Sequence, residues 1–133
     1  MSHPVSFDVS RSLIFVGARI WGKNSFRIVN LALDTGASTT IVASDILVAL
    51  GYDPAKSTKR TRVITGSGVE YRKVVTVSRL EALGKSIDHL DVVCHDLPEE
   101  SKLDGLLGLN FLRHFDMLVR YSDGTITLES IVV

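Results

Sequence analysis

Apolar positions along the chain come in short runs rather than in the i, i+3, i+4 rhythm of long helices. Val5 to Val9 alternates apolar and polar, the period of a half-buried strand. Ser12-Leu13-Ile14-Phe15-Val16 is a second β-type run, interrupted by Gly17, with Ala18 to Trp21 as its continuation and Gly22-Lys23-Asn24-Ser25 as a turn. Phe26 to Leu33 is a strand closed abruptly by Asp34-Thr35-Gly36, and the β-branched run Thr39-Thr40-Ile41-Val42 is another. Ser44 to Gly51 reads as a short helix with Ser44 as N-cap and Gly51 at C′. The polar segment Tyr52 to Lys59, with Pro54, reads as a loop.

The second half continues in strands. Arg60 to Ile64 and Val69 to Val77 are two β-prone arms around the tip Thr65-Gly66-Ser67-Gly68. Ala82-Leu83-Gly84-Lys85 marks a turn before a strand through Leu90-Asp91-Val92-Val93, and Pro98 to Lys102 is a solvated loop. Leu103 to Gly108 is an apolar run cut by Gly105 and Gly108, and Asn110 to Phe115 makes one or two helical turns with Phe111, Leu112 and Phe115 on one side. Met117 to Tyr121 and Thr125 to Val133 form a last hairpin across Ser122-Asp123-Gly124. Many short strands with evenly spaced turns and at most two short helices predict an all-β domain, a mainly antiparallel barrel or sandwich.

Composition narrows the class further. At 133 residues the chain fits a single domain, 1–133, large enough for a core without crosslinks. A hydrophobic content of 45% and mean hydropathy of +0.23 exclude disorder. Fifteen basic residues cancel fifteen acidic ones, so charge favours neither nucleic acid nor an anionic membrane as partner. No run of about 18 apolar residues is long enough to span a bilayer. The opening Met1-Ser2-His3-Pro4 lacks the basic and apolar regions of a signal peptide. The lone Cys94 cannot form an internal disulfide. Together these predict a cytoplasmic protein.

The chemical candidates are few. Asp34 is a carboxylate delivered to the edge of the core by an apolar strand, where carboxylates seldom go. Thr35 can hydrogen-bond locally and Gly36 allows a sharp turn or close backbone approach; an ordinary Asx turn would look similar. Cys94-His95-Asp96 and Asp88-His89 bring metal-binding side chains near one another but lack paired ligand spacings, so no metal is expected. Cys94 beside Val92-Val93 reads as a small core residue. Thr65-Gly66-Ser67-Gly68 has neither the lysine of a phosphate loop nor the pattern of a serine elbow, and fits a mobile hairpin tip. Taken singly, Gly105 and Gly108 could merely mark a bend or bulge.

Taken in order, these elements resemble retropepsin-like aspartic proteases. Asp34-Thr35-Gly36-Ala37-Ser38 after an apolar strand is similar to their active-site signature, the glycine-bearing hairpin about thirty residues later to their flap, and Leu106-Leu107-Gly108 before a short helix to their second signature. The resemblance covers roughly residues 5 to 133 and implies a closed antiparallel barrel of the acid-protease type. It implies an aspartic endopeptidase without cofactor, acting on a peptide or protein bound as an extended strand. Asp34 would be half of a catalytic pair, Thr35 would lock the two active-site loops across a two-fold axis, and Gly36 would let their backbones approach. Thr65, Gly66, Ser67 and Gly68 would close over the substrate, and Leu106, Leu107 and Gly108 would support the loop from behind. With one Asp-Thr-Gly per chain, the pair requires a homodimer. Ala37 stands where some relatives carry a hydroxyl, which implies a less acidic working range. The C-terminal hairpin is longer than in viral enzymes, and the apolar Ser130-Ile131-Val132-Val133 is expected to dock on the partner subunit. The alternative on the same barrel is a non-catalytic peptide-binding or dimerisation module.

Overall fold

The structure is a computed structural model that describes residues 2–131, with the side chain of Thr65 left aside. Ten strands and two short helices follow one another as β1 (Val5–Ser6), β2 (Phe15–Trp21), β3 (Phe26–Leu33), β4 (Ile41–Val42), α1 (Ser44–Ala49), β5 (Arg60–Thr65), β6 (Gly68–Ala82), β7 (Lys85–Cys94), β8 (Gly105–Leu107), α2 (Leu109–Leu112), β9 (Phe115–Arg120) and β10 (Thr125–Ser130). Six of them, in the order β2-β3-β8-β4-β7-β6, close into a barrel because β6 returns to pair with β2. Closure is the barrel expected from sequence. Within it, β3–β8 and β4–β7 run parallel and the other pairings antiparallel. A separate sheet of β1, β10 and β9 lies beside it.

Period-two patterning builds the interior. Val16, Ala18 and Ile20 point inward from β2 while the residues between them do not. Ile20, Leu31, Leu47, Val77, Leu80, Val92, Leu107 and Phe111 are fully buried in one core, joined by Ile126 and Leu128 from the second sheet.

Several boundaries differ from the sequence-based ones. β2 passes straight through Gly17, whose absent side chain faces open space and so does not break the ladder. β6 extends to Ala82, five residues past the expected end, because its distal part finds partners on both sides, β2 and β7. The tight turn to β7 is made by Leu83 and Gly84, both with positive φ. The expected helix over Asn110 to Phe115 stops at Leu112, and Phe115 instead opens β9, where it packs against Phe111 at 5.5 Å. Glu99–Ser101 within the expected loop forms a single 3-10 turn. Of the expected docking segment 130–133, Ser130 ends β10 and Ile131 is exposed, while the last two residues lie outside the described ones.

Helix α1 was predicted with Ser44 as its N-cap. Its N-cap is Ala43, which offers no side-chain acceptor, and the cap comes from a distant segment instead. Asp96 accepts hydrogen bonds from the Ser44 N–H (2.9 Å) and hydroxyl (2.8 Å), satisfying a donor that the first turn leaves open. At the other end Gly51 occupies C′ with φ +93°, as expected. Its N–H bonds Val48 C=O and that of Tyr52 bonds Leu47 C=O, a Schellman closure.

The Ser44 N–H and hydroxyl bonds to Asp96 hold its carboxyl below the usual carboxylate range, against a smaller opposing effect of burial. A carboxyl whose folded value is lowered contributes stability that is complete above its unfolded value, 3.8, and fades as the pH falls through the folded one. Asp96→Ala, which removes the acceptor, should therefore cost about 1 kcal/mol at pH 6. In thermal melts followed by circular dichroism, its difference from wild type should shrink as the pH drops below 3.8.

Candidate active site

The site begins where β3 ends. Asp34 N–H bonds Leu107 C=O at 3.0 Å, extending the parallel β3–β8 pairing by one residue and fixing the carboxylate at the barrel's rim. The chain then turns. Gly36 N–H donates to Asp34 Oδ1 (2.8 Å), and Ala37 N–H donates to Asp34 C=O (3.2 Å). This is an Asx turn, the local geometry that an Asp-Thr-Gly tripeptide offers by itself. Asp34 Oδ2 has no hydrogen-bond partner among the described residues.

Backbone held against backbone fixes the turn. Leu109 N–H bonds Ala37 C=O at 2.8 Å, tying the loop to the first turn of α2. A Cβ on Gly108 would stand 2.8 Å from the Ala37 carbonyl oxygen and 2.8 Å from the Thr39 carbonyl carbon, and one on Gly105 would stand 1.8 Å from Ile41 O. These two glycines are thus requirements of close approach rather than mere bends. Leu107 is fully buried behind the loop, and Leu106 is half-buried opposite Ile41.

One buried polar group completes the clamp. Thr40 is the fully buried polar residue of the core, and its hydroxyl accepts from Gly108 N–H (3.1 Å) while donating to Asn110 Oδ1 (2.8 Å). Asn110 Oδ1 also accepts from Thr40 N–H (2.8 Å), and its Nδ2 donates to Asp91 C=O on β7 (2.7 Å). A single amide thus joins the loop, α2 and β7, with every buried side-chain donor and acceptor among the described residues satisfied. The sequence reading missed this pair. Its only signal was an amide side chain two residues past Gly108, at the start of a helix too short to require one.

Opposite the loop stands the hairpin. β5 and the first part of β6 pair from Arg60↔Lys73 to Thr65↔Gly68 as a two-stranded ribbon beyond the barrel. At its base Lys59 reaches Asp91 (2.7 Å), which also accepts from the Thr76 hydroxyl (2.6 Å). Burial pushes the Asp91 carboxyl up, but these hydrogen bonds and the Lys59 charge outweigh it and hold the group below the usual carboxylate range. Farther out Arg72 pairs with Glu70 and donates from Nε to His95 Nδ1 (3.0 Å).

Between loop and ribbon lies a cavity of about 410 Å³, lined by Asp34, Gly36, Ala37, Ser38, Thr39 and Ile41 on one side, by Thr61 to Ile64 on the other, and by Val93. Asp34 is the one carboxylate in that lining. The sequence placed substrate contacts at the tip; the cavity is lined instead by the first arm, Thr61 to Ile64, and Gly66, Ser67 and Gly68 are exposed beyond it. Thr35 is exposed, and its hydroxyl has no partner among the described residues. Cys94 is half-buried outside this lining, and burial together with the Asp96 charge pushes its thiol up, away from nucleophilic use.

A family model described as gag-polyprotein putative aspartyl protease matches residues 20–114, which include both the Asp34 loop and the Gly108 clamp. The chain belongs to this aspartyl protease family. Its fold is that of the retropepsin-like proteases: the structure of a retropepsin-like aspartic protease from Rickettsia conorii superposes with a TM-score of 0.71, at 20% sequence identity, over 100% of this chain and 94% of that one. Curated protein sequences gave no significant match. Among the described residues of this family member no helix is long and apolar enough to cross a membrane, and no group of three or more His, Cys, Asp or Glu side chains could hold a metal ion.

The clamp makes a stability prediction. Gly108→Ala drives a methyl group into loop backbone, and Gly17→Ala, which meets nothing within 4 Å, is its control. Gly108→Ala should cost about 2 kcal/mol, and Gly17→Ala should leave the melting temperature within roughly 2 °C of wild type. Thermal denaturation of the two variants side by side checks it.

Proposed function

We propose that this protein is an aspartic endopeptidase whose active site forms between two copies of Asp34, one from each subunit of a homodimer. The observation that carries the proposal is the single carboxylate, clamped at the barrel rim, in the wall of a cavity roofed by a hairpin. Peptide hydrolysis by water needs a base to take a proton from the water and an acid to protonate the carbonyl oxygen. Asp34 can do one of these at a time, and a second Asp34 related by a two-fold axis supplies the other.

In this reading one ionised Asp34 takes a proton from a water molecule as its oxygen bonds to the scissile carbonyl carbon. The protonated Asp34 of the second copy gives its proton to the carbonyl oxygen. Collapse of the tetrahedral diol then breaks the C–N bond. The amine leaves with the proton first taken from water, and one diol hydroxyl returns its proton to the second Asp34, so that the product is a carboxylic acid and the pair again holds one proton. The shared proton belongs to the pair, so a pH–rate profile reports macroscopic values. Thr35, exposed and without a hydroxyl partner among the described residues, bonds across the two-fold, and Gly36 lets the two turns approach. Leu106, Leu107 and Gly108 hold the turn in place. The substrate lies in the cavity as an extended strand, and Thr65 to Gly68 at the tip of the ribbon close over it and exclude water. Residues 1–133 act as one domain, with neither nucleic acid nor membrane as partner.

Asp34→Asn should reduce cleavage of a peptide library by about a thousandfold or more, with circular dichroism and sedimentation unchanged. Wild-type cleavage should be blocked by pepstatin. Hydrolysis retained by a clean Asp34→Asn preparation would refute the reading, and peptide binding without cleavage by wild type would favour the non-catalytic module. Ala37→Ser places a hydroxyl beside the carboxylate, where a bond to the ionised form stabilises it. The acidic limb of the activity profile should then move to lower pH, on the order of one unit. A wild-type profile peaking below about pH 3, under the ordinary aspartate value, would contradict the role given to Ala37.

A further inference from the structure

We infer that the open edge of β9 is the surface on which a second copy of this chain docks, antiparallel and centred on Leu118. The inference rests on the homodimeric reading above and names the residues that build it. β9 is the terminal strand of the β1-β10-β9 sheet, paired with β10 on one side only among the described residues. Phe7 N–H bonds Gly124 C=O, and the β1–β10 and β10–β9 registers carry the antiparallel alternation across the sheet. That alternation turns the backbone N–H and C=O groups of Met117 and Val119 away from β10, toward the open side. Six residues of unpaired edge are a template for another strand, and such edges are normally blunted by bulges, proline or lysine. β9, Phe-Asp-Met-Leu-Val-Arg, has no bulge, proline or lysine, and the two charges it does carry, Asp116 and Arg120, are of opposite sign.

What the edge carries is self-complementary. Asp116, Leu118 and Arg120 project on the exposed face of β9, and Leu118 is 56% exposed at its centre. A two-fold axis through an antiparallel pairing centred on Leu118 sets Leu118 against the partner's Leu118. It sets Asp116 against the partner's Arg120, and Arg120 against the partner's Asp116. Opposite charges thus meet twice and an apolar pair meets once, whereas a shift of two residues along the strand would break one or both matches. Arg120 already bonds Asp123 from Nε (2.6 Å), but a guanidinium has five donors and that contact is exposed. The pairing leaves Met117 and Val119 to exchange backbone hydrogen bonds, Met117 with the partner's Val119 and Val119 with the partner's Met117. It joins two three-stranded sheets into one of six. β9 follows α2 directly, and α2 holds the Asp34 loop through Leu109, so the docking strand and the catalytic turn belong to one continuous stretch of chain.

Charge reversal on the full-length chain tests this by sedimentation equilibrium, without reference to cleavage. Asp116→Arg and Arg120→Asp each place like charges opposite one another twice, and each should raise the dimer dissociation constant about tenfold or more at low salt. The double variant Asp116→Arg/Arg120→Asp restores opposite charges and should return to within about threefold of wild type. Leu118→Lys, which puts two cations at the axis, should be the weakest dimer. Melting curves at a concentration where all variants are monomeric separate docking from folding. Dimerisation indifferent to all four changes, a double variant as weak as the singles, or a wild-type chain monomeric at every concentration would each overturn the inference. A β9-dependent dimer that cuts no peptide would leave the interface standing and remove the protease reading alone.

Discussion

The approach of two stretches of backbone, 34–41 and 105–110, is the constraint on which the molecule turns. β8 is three residues long, yet it runs parallel to β3 on one side and antiparallel to β4 on the other. It can be threaded there only because glycine stands at both ends of it, at 105 and at 108, where any side chain would meet a carbonyl. Three residues of ladder give little stability by themselves. The buried Thr40 hydroxyl and the Asn110 amide supply the directional bonds that fix the approach at one distance, and the low-dielectric surroundings make leaving any of those groups unpaired costly. A carboxylate at the end of an isolated strand would sample many positions. Asp34 does not, because both the strand before it and the loop after it are bonded to the same short segment.

The barrel and the ribbon share a strand. β6 begins as one arm of the exposed hairpin and ends as a barrel stave closed against β2. The ribbon therefore runs without a break from Lys73 into Val74, and its direction over the cavity follows from a strand already committed to the core. Lys59 and Asp91 fix the first arm at the same level. The roof of the cavity is thereby attached to the wall that Asn110 grips through Asp91 C=O, and loop, wall and roof meet along β7.

Much of this was legible in the order of residues, for identifiable reasons. Period-two runs and glycine turns give away strands because a strand's side chains must alternate between core and solvent, and the Leu83-Gly84 and Gly51 turns were readable because few residues accept positive φ. The Asp34 turn stood out because a carboxylate so rarely ends an apolar run. What escaped detection was set at long range. Ser44 looks like a cap, but the oxygen that caps its helix belongs to Asp96, and nothing local to residue 44 says so. Phe115 fits a helical face by spacing, yet the chain leaves the helix after Leu112 to begin an edge strand. Thr40 and Asn110 are 70 residues apart, and each taken alone is an unremarkable polar residue.

That separation bears on how the protein comes into being. Apart from the Val93 N–H bond to Thr40 C=O, the bonds that shape the Asp34 loop beyond the turn itself are made to residues from Leu107 onward. A ribosome that has released the first hundred residues has released the carboxylate, the hairpin and most of the barrel staves, but not the segment that orders them. Closing contacts of such long sequence separation is slow, and until then the chain carries exposed strand edges in place of a formed site. The carboxylate of residue 34 is thus synthesised some seventy residues ahead of the segment that clamps it, and acquires a fixed position only after that segment arrives.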